Sequence, residues 1–285
     1  MKNKSIISHY FSYLNNFLNK KLPSQNLYEP ISYMFQLGGK SLRPFFLLFS
    51  YKIFGGKSKK INQVAIALES LHNFSLIHDD VMDNADKRRG QLSVPKKWNK
   101  NSAILSGDVL MLKSFEVLTS INDFHQPVIL KEFINTAIKI CEGQQMDLDF
   151  EKKDIILKNE YFKMIEMKTA ALFVFCFKVG CLLAGGNRLD VQKMKKIGLK
   201  VGMLFQMQDD YLDFFGTKKV GKKIGQDVIE NKKTFLFSLV LDVATKVDIK
   251  EFTDLYNKKT LNVCFKISEL LNEIKFVSVF LKLSS

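Results

Sequence analysis

The stretch from Leu68 to Gly90 reads LESLHNFSLIHDDVMDNADKRRG, and it decides how the rest of the chain is interpreted. Apolar residues recur in it at three- and four-residue spacing, which predicts an amphipathic helix. Because an α-helix turns by about 100° per residue, Asp79 and Asp83 share a face, and their like charges must be offset by water or a cation. Arg88 and Arg89 follow these acids. This order indicates one polyanion held both through a metal ion and through guanidinium groups.

A second aspartate cluster follows in GMLFQMQDDYLD, at residues 202–213, again at the end of an apolar helical run. Gln206, Asp209 and Asp213 lie on one face of that predicted helix. A single DDxxD cluster is more often a solvated helix end than a site. Two clusters about 130 residues apart are hard to explain in that way, and we expect them to line the mouth of one cavity. Their carboxylate oxygens suit Mg²⁺, which in proteins keeps some water ligands and fills its other coordination positions with carboxylate and phosphate oxygens.

The composition is that of a globular chain with a large core. It has 285 residues, of which 46% are hydrophobic, enough for one large domain. No apolar run reaches the roughly 18 residues that a membrane span needs, and the N-terminus lacks a signal-peptide pattern. We therefore expect a cytoplasmic protein without a membrane span. The cysteines form no CxxC pair and lie in apolar helical contexts, so they are expected to be reduced core residues: Cys141, Cys176, Cys181 and Cys264.

The chain is strongly basic, with a net charge of +14. Such a charge favours nucleic acid, a membrane surface or an anionic substrate as the partner. The lysines are scattered and no nucleic-acid-binding module is recognisable, so we expect no nucleic acid. Arginine is rare, and Arg43, Arg88 and Arg89 all lie in stretches that could bind phosphate. Since the guanidinium group binds phosphate through two parallel hydrogen bonds, this placement favours a phosphorylated small molecule.

Helical periodicity covers most of the chain, and no pair of alternating strands is recognisable. The sequence therefore predicts one all-α domain over residues 1–285. The predicted helices are Ile6–Leu22, Tyr28–Gln36, Leu42–Phe54, Ile61–Asp83, Ser106–Ser120, Pro127–Leu148, Asn159–Ala184 and Leu189–Phe215, with a basic loop at 216–233 and shorter helices after it.

Four further stretches carry groups that could bind phosphate. Each also has a simpler interpretation, namely a glycine helix stop, a core histidine, a lysine whose stem lies on apolar surface, and a solvated basic loop. In chain order the candidates are Lys40 and Arg43 in GGKSLRP, His72 two turns before Asp79, Lys168 with Thr169, and Lys222, Lys223 and Lys232 in the basic loop.

Together, GGKSLRP, HDDVMDNADKRRG, GQQMD, KT, FQMQDDYLD and GKKIGQD…NKKT resemble the trans-isoprenyl diphosphate synthases, or polyprenyl synthetases, from Gly38 to Thr234. The resemblance implies a single-domain isoprenoid synthase helical bundle around a central active-site cavity, usually as a homodimer. Members of this family condense isopentenyl diphosphate with an allylic diphosphate and release diphosphate. The expected cofactor is Mg²⁺, as three ions.

The resemblance also implies residue roles. Metal ligands would be Asp79, Asp83 and Asp209, supported by Asp80, Asp210 and Asp213. The allylic diphosphate would contact Arg88, Lys168, Thr169, Gln206, Lys232 and either Lys222 or Lys223. Isopentenyl diphosphate would contact Lys40, Arg43, His72 and Arg89. The catalytic set would be Asp79, Asp80, Asp83, Lys168, Asp209 and Asp210.

The chain departs from the family pattern at several positions. Ser41 stands where a third basic residue is common, Asn231 replaces a glycine before Lys232, and no proline follows Thr234. The C-terminal region is short and lacks a basic tail. These departures bear on diphosphate binding and on closure of the active site.

Phe74, five residues before Asp79, stands where long-chain members carry a small residue, which favours C15 to C20 products. The alternatives are a longer-chain polyprenyl diphosphate synthase and a non-catalytic prenyl-diphosphate-binding subunit of a heteromeric synthase. A class I terpene cyclase is less favoured, because FQMQDDYLD differs from the second metal motif of cyclases and a cyclase needs no second diphosphate site.

Overall fold

The structure is a computed structural model that describes residues 3–20, 22–23, 26–215, 225–243 and 245–258. The described part is almost entirely helical, which confirms the predicted all-α class. Its elements in chain order are α1 (Asn3–Lys20), α2 (Glu29–Gln36), α3 (Leu42–Ile53), α4 (Ile61–Met82), β1 (Lys87–Arg88), β2 (Gln91–Leu92), α5 (Val94–Lys97), α6 (Lys100–Thr119), α7 (Gln126–Phe150), α8 (Lys158–Ile165), a π-helical segment (Glu166–Ala170), α9 (Ala171–Leu183), α10 (Arg188–Phe215), α11 (Gln226–Ile229), α12 (Phe235–Val243) and α13 (Lys246–Tyr256).

Contacts between residues divide the chain into two compact units. Unit 1 comprises Met1–Ile140 and Ala170–Gly202, and unit 2 comprises Cys141–Thr169 and Met203–Ser285. Each unit has its own cluster of buried apolar residues. One domain over residues 1–285 stays a prediction.

The core of unit 1 is organised around α4, which packs against α1, α3 and α6. Nearly every residue of α4 from Ile61 to Phe74 is buried, so this helix is enclosed on most of its circumference, as helices inside large cores are. Helix α3 packs closely against α9, where the Ser50 hydroxyl donates to the Phe177 carbonyl at 2.7 Å. Packing of this density fixes the C-terminal end of α4, which carries the first aspartate cluster.

The core of unit 2 is smaller and rich in aromatic rings. Helix α12 packs against α8, and the rings of Phe237, Phe252 and Tyr256 lie within 5.5 Å of one another. The second aspartate cluster, on α10, belongs to this unit. Its surroundings are therefore set by α8, α12 and their apolar contacts.

The structure corrects the expectation that no strands pair. Strands β1 and β2 form a short antiparallel hairpin in which Arg88 pairs with Gln91. Arg89 and Gly90 make the turn with φ values of 54° and 80°, as a two-residue turn of type I′ requires. Two-residue strands are too short to show alternation in the sequence. The hairpin matters because it carries both arginines of the first cluster.

Three other expectations need correction. Helix α6 begins at Lys100, six residues before the predicted start, because the Asn99 side chain caps it by accepting from the Ser102 N–H at 2.8 Å. The helix predicted over Asn159–Ala184 is interrupted by the π-helical segment around Lys168 and Thr169. Cys141 is exposed, whereas Cys176 and Cys181 are buried free thiols as predicted. Cys264 lies outside the described residues.

Candidate active site

The first aspartate cluster closes α4. Asp79 and Asp83 are half-buried, whereas Asp80 is fully buried. The Arg88 guanidinium donates to Asp80 Oδ1 through Nε at 2.9 Å and through Nη2 at 2.5 Å. Burial alone would lower the pKa of Arg88, but the Asp80 carboxylate, together with the charges of Asp79 and Asp83, outweighs burial and raises that pKa. The first cluster thus contains one buried ion pair beside two accessible carboxylates.

A group of basic residues lies near His72 in the same unit. Arg43 Nη1 lies 3.0 Å from His72 Nε2, which accepts the hydrogen bond because a guanidinium can only donate. Burial, together with the charges of Arg43, Arg89 and Arg88, lowers the pKa of His72 well below its usual value. His72 is therefore neutral at physiological pH. The Arg43 guanidinium also lies over the Phe173 ring, 5.3 Å from its centroid.

Arg89 lies at the hairpin turn, and its guanidinium packs against Gly39. A Cβ atom at Gly39 would lie only 2.9 Å from Arg89 Cζ, so a side chain there would displace the guanidinium. Gly39 also has a φ of +147°, which residues with side chains rarely adopt. Gly39 of GGKSLRP therefore makes room for Arg89. Lys40, the next residue, is exposed.

The second aspartate cluster surrounds its buried carboxylate with neutral donors. Asp210 Oδ2 accepts from the Tyr161 hydroxyl at 2.6 Å and from the Phe235 N–H at 2.7 Å. Asp210 Oδ1 accepts from Gln206 Nε2 at 2.8 Å. Burial raises the pKa of Asp210, and these three donors oppose the shift. Asp209, its neighbour, is half-buried.

Asp213 is also buried, and its Oδ2 accepts from the Asp227 N–H at 3.1 Å. The Asp213 carbonyl accepts from the Gly225 N–H at 2.8 Å. These bonds attach the start of α11 to the end of α10.

Lys168, Thr169 and Gln206, predicted to contact the allylic diphosphate, lie in two hydrogen-bonded groups of unit 2. Lys168 Nζ donates to the buried Asp147 carboxylate at 2.5 Å. Burial raises the pKa of Asp147, but the charges of Lys168 and Lys232 outweigh it and lower that pKa. The Thr169 hydroxyl donates to Gln206 Oε1 at 2.6 Å, and Gln206 in turn donates to Asp210. Lys222 and Lys223 lie outside the described residues.

Asn231 explains one departure from the family pattern. Its φ is 59°, in the left-handed region that glycine adopts freely and asparagine tolerates better than most residues. Its side chain donates to the Glu151 carbonyl at 2.6 Å and accepts from Lys233 Nζ at 2.7 Å. Asn231 therefore keeps the backbone shape of a glycine and adds two bonds that hold the segment carrying Lys232.

Comparisons with known proteins show the family of this chain. A family model described as polyprenyl synthetase matches residues 24–274. The chain belongs to the polyprenyl synthetase family.

This polyprenyl synthetase is 36% identical over 254 residues to the geranylgeranyl diphosphate synthase of Methanosarcina mazei, covering 87% of this chain and 77% of the relative. It is 34% identical over 293 residues to the geranylgeranyl diphosphate synthase of Sulfolobus acidocaldarius, covering 93% and 89%. The crystal structure of geranylgeranyl pyrophosphate synthetase from Pyrococcus horikoshii Ot3 superposes with a TM-score of 0.86 at 32% identity, covering 97% of this chain and 88% of that one. The prediction of a trans-prenyltransferase with an isoprenoid synthase fold is confirmed.

Three polar residues of this polyprenyl synthetase were missed as site residues. Asp147 belongs to GQQMD, a stretch that carried part of the resemblance, so the sequence held a signal for it. The sequence held no such signal for Tyr161 or Glu69. Each is a single polar residue in a helix, and the groups around it come from distant parts of the chain. Glu69 is buried, and the charges of Arg43 and Arg89 act on it.

Phe74 is buried, and its ring lies 4.6 Å from the His78 ring. His78 in turn reaches α6, where its Nε2 lies 3.2 Å from the Ile104 carbonyl oxygen and 3.6 Å from Asp108 Oδ1. Phe74 thus packs against His78, which lies one turn later on α4 and whose ring contacts the Ile104 carbonyl of α6.

The residues present suit Mg²⁺ by their chemistry. Asp79, Asp83 and Asp209 offer half-buried carboxylate oxygens, the hard ligands that Mg²⁺ prefers. Within the described part of the chain, no three His, Cys, Asp or Glu side chains lie together in an arrangement that could hold a metal ion. Open carboxylate sites that leave positions for water and phosphate oxygens are typical of Mg²⁺. No described helix is both long and apolar enough to cross a bilayer.

Proposed function

We propose that this polyprenyl synthetase condenses isopentenyl diphosphate with an allylic diphosphate, giving a C15 to C20 trans-prenyl diphosphate and releasing diphosphate. One observation carries the proposal: each unit holds its own set of cationic side chains beside its own aspartate cluster. Unit 1 has Arg43 and Arg89 with neutral His72, and unit 2 has Lys168 and Lys232. A reaction between two diphosphates needs two such sets, whereas a cyclase needs one.

The set in unit 1 suits isopentenyl diphosphate. Neutral His72 accepts from Arg43 and so fixes one guanidinium plane, and Gly39 makes room for the other at Arg89. Guanidinium groups held in this way bind phosphate oxygens through paired hydrogen bonds. Lys40 would add an exposed ammonium group. We assign these four residues to the isopentenyl diphosphate.

The set in unit 2 suits the allylic diphosphate. Lys168 and Lys232 both act on the buried Asp147, so their ammonium groups belong to one charge system. The Thr169 hydroxyl and Gln206 are joined by a hydrogen bond beside it. We assign these residues, together with Arg88 and either Lys222 or Lys223, to the allylic diphosphate. Cations placed there stabilise the negative charge that develops as the allylic C–O bond ionises.

Mg²⁺, as three ions, would be held by Asp79, Asp83 and Asp209, with Asp80, Asp210 and Asp213 in support. When bound, these ions neutralise negative charge on the diphosphate leaving group. Asp80 and Asp210 are buried and hydrogen-bonded, so their support consists of fixing the helix ends that carry the ligands. The isopentenyl double bond then attacks the allylic cation, and the proton released passes to the departing diphosphate. No side chain is needed as the base.

Phe74 supports the short product. It is buried and held against His78, so its ring cannot swing away from α4 without breaking that contact. The two relatives named geranylgeranyl diphosphate synthases also favour this range over a longer-chain synthase or a non-catalytic subunit.

A homodimer is supported by the surface of α6. Leu105 and Leu112, two turns apart on one face, are 56% and 61% exposed, and Ile104 beside them is 41% exposed. Apolar side chains grouped in this way commonly mark a protein–protein contact. The cytoplasmic location stays a prediction.

The test is an incubation with isopentenyl diphosphate, Mg²⁺ and the C5, C10 or C15 allylic diphosphate, followed by sizing of the dephosphorylated products. We expect C15 to C20 products that disappear with a chelator and in Asp79→Ala. Products of C30 or longer would agree with the proposed prenyl transfer but would reject the role of Phe74 in limiting product length. Folded protein that extends none of the three allylic substrates would reject the proposal.

A further inference from the structure

Lys233 is a buried lysine next to one of the cations assigned to the allylic diphosphate. It lies between α11 and α12 and is 1% exposed. Burying an ammonium group costs free energy unless hydrogen bonds or charges compensate it, and lysine is among the residues least often fully buried. The proposed function assigns the diphosphate contact to Lys232 and no role to Lys233. The burial of its ammonium group therefore needs another reason.

The Lys233 ammonium contacts one amide and two aromatic rings. Its Nζ donates to Asn231 Oδ1 at 2.7 Å and lies 5.0 Å from the centroid of the Phe237 ring and 5.2 Å from that of the Tyr256 ring. Cation–π contacts at these distances are attractive, and more so where water is excluded. Both rings belong to the aromatic core of unit 2. Lys233 therefore connects the segment after α11 to α12 and α13.

Asn231, on the other side of Lys232, completes this arrangement. Its Nδ2 donates to the Glu151 carbonyl at 2.6 Å, so one side chain joins Lys233 to the segment that follows α7. The two neighbours of Lys232 are thus joined to each other and, through these contacts, to α12, α13 and the end of α7.

The backbone of Lys232 is fixed as well. Its N–H donates to the Asp227 carbonyl at 2.8 Å, and its carbonyl accepts from the Tyr256 hydroxyl. A long side chain whose backbone is held from both sides has fewer positions to lose when it binds an anion, so less conformational entropy opposes binding.

The Lys232 ammonium lies near acids of unit 2. Its Nζ is 3.5 Å from Glu230 Oε2. Burial raises the pKa of Asp147, but the charges of Lys168 and Lys232 outweigh it and lower that pKa. Lys232 therefore belongs to the same charge system as Lys168, the other lysine of this unit assigned to the allylic diphosphate. The position of the Lys232 backbone decides whether the two ammonium groups can bind one diphosphate.

We propose that Lys233 is a positioning residue which, together with Asn231, fixes the place from which Lys232 reaches the allylic diphosphate. The inference rests on the proposed function, because it deepens the allylic site assigned there. Lys233 does not touch the substrate and acts through Lys232. Its loss should therefore weaken binding of the allylic diphosphate and leave isopentenyl diphosphate, whose assigned residues lie in unit 1, almost unaffected.

The test uses two variants that weaken this arrangement in different ways. Lys233→Met removes the charge and keeps an unbranched chain against the two rings. Asn231→Gly keeps the left-handed backbone and removes both side-chain bonds, so it keeps the test decisive if Lys233→Met does not fold. Steady-state kinetics with each substrate varied in turn, together with Tm, measures the effect. Each variant should raise the KM of the allylic substrate about tenfold, the size expected for one charge-assisted contact, and change the KM of isopentenyl diphosphate by less than about twofold.

A double variant separates a positioning role from a structural one. In a Lys232→Ala background the ammonium that Lys233 positions is absent, so adding Lys233→Met should raise the allylic KM no further. The matched control is Lys153→Met. Lys153 also has a hydrogen-bonding partner, Glu160 at 2.9 Å, and lies 5.1 Å from the centroid of the Phe150 ring, but it is exposed. This control should change neither KM.

An allylic KM within about twofold of the wild-type value in both Lys233→Met and Asn231→Gly would overturn the inference. A rise in the allylic KM that persists in the Lys232→Ala background would also overturn it, as would a parallel rise of both KM values with a lower Tm, because Lys233 would then be a purely structural residue. Failure of the proposed function would show separately, as folded wild-type protein that extends no allylic diphosphate.

Discussion

The two aspartate clusters each bury the second acid of DDxxD, but they satisfy it by different means. Asp80 is paired with the charged Arg88, whereas Asp210 accepts from a hydroxyl, a backbone N–H and an amide. The same five-residue motif therefore ends in two electrostatic environments. The Asp80 carboxylate is stabilised by one charged partner, whereas the Asp210 carboxylate is stabilised by three neutral donors. We expect the two clusters to respond differently when a partner is removed.

The largest expected effect is in the first cluster. Arg88→Gln leaves the fully buried Asp80 carboxylate without its counter-charge, and breaking one side of a buried ion pair costs about 3–5 kcal/mol. Urea unfolding should show this loss of unfolding free energy. The double variant Arg88→Gln, Asp80→Asn should recover part of it, because no buried charge remains. A loss below about 1 kcal/mol in the single variant would mean that the pair is not the main support of Asp80.

The second cluster should lose less from one substitution. Tyr161→Phe removes one of three donors to Asp210, and an unfolding loss of about 1–3 kcal/mol is expected. Tyr33→Phe is the control, because the Tyr33 hydroxyl donates to the Leu92 carbonyl at 2.8 Å at an exposed position and water can replace it. If Tyr161→Phe cost more than Arg88→Gln, the contrast between the clusters would be reversed.

The contrast between the units can be tested in catalysis through Asp147. Asp147→Asn removes the carboxylate that pairs with Lys168 and also acts on Lys232, so the KM for the allylic substrate should rise about tenfold. The KM for isopentenyl diphosphate should change little. Steady-state kinetics with each substrate varied in turn would measure both. An equal rise in both KM values would mean that the two sets of cations do not bind separate substrates.

The smallest expected effect is a loss of stability at acidic pH that depends on His72 in unit 1. Since burial and three arginines depress the pKa of His72, the unfolded chain binds the proton more readily than the folded protein below about pH 6.5. This contribution to stability is present above pH 6.5 and is lost as the pH falls. The loss amounts to at most about 1.4 kcal/mol per pH unit.

Urea unfolding of the wild type and of His72→Gln between pH 7.5 and 5 measures this difference. The wild type should lose more stability on acidification than the variant, which lacks the titrating group. Parallel curves would show that His72 does not set the acid sensitivity of unit 1.

Much of the architecture followed from local patterns. The periodicity of apolar residues gave α2, α3, α4 and α10 within one or two residues, since a helix face is encoded by residues three and four apart. The π-helical segment, the β1–β2 hairpin and the early start of α6 were missed. Each depends on a short signal, such as the cap at Asn99, that carries little weight beside apolar periodicity.

The sequence by itself determined the family, the helical class and the two aspartate clusters, because these depend on residue types at fixed spacing along one chain. Tertiary structure decided which aspartates are buried and what satisfies them. Nothing in DDVMD and DDYLD distinguishes Asp80, held by Arg88, from Asp210, held by Tyr161, which lies 49 residues away along the chain. Spacing fixes a face of a helix, but only packing brings distant groups to that face.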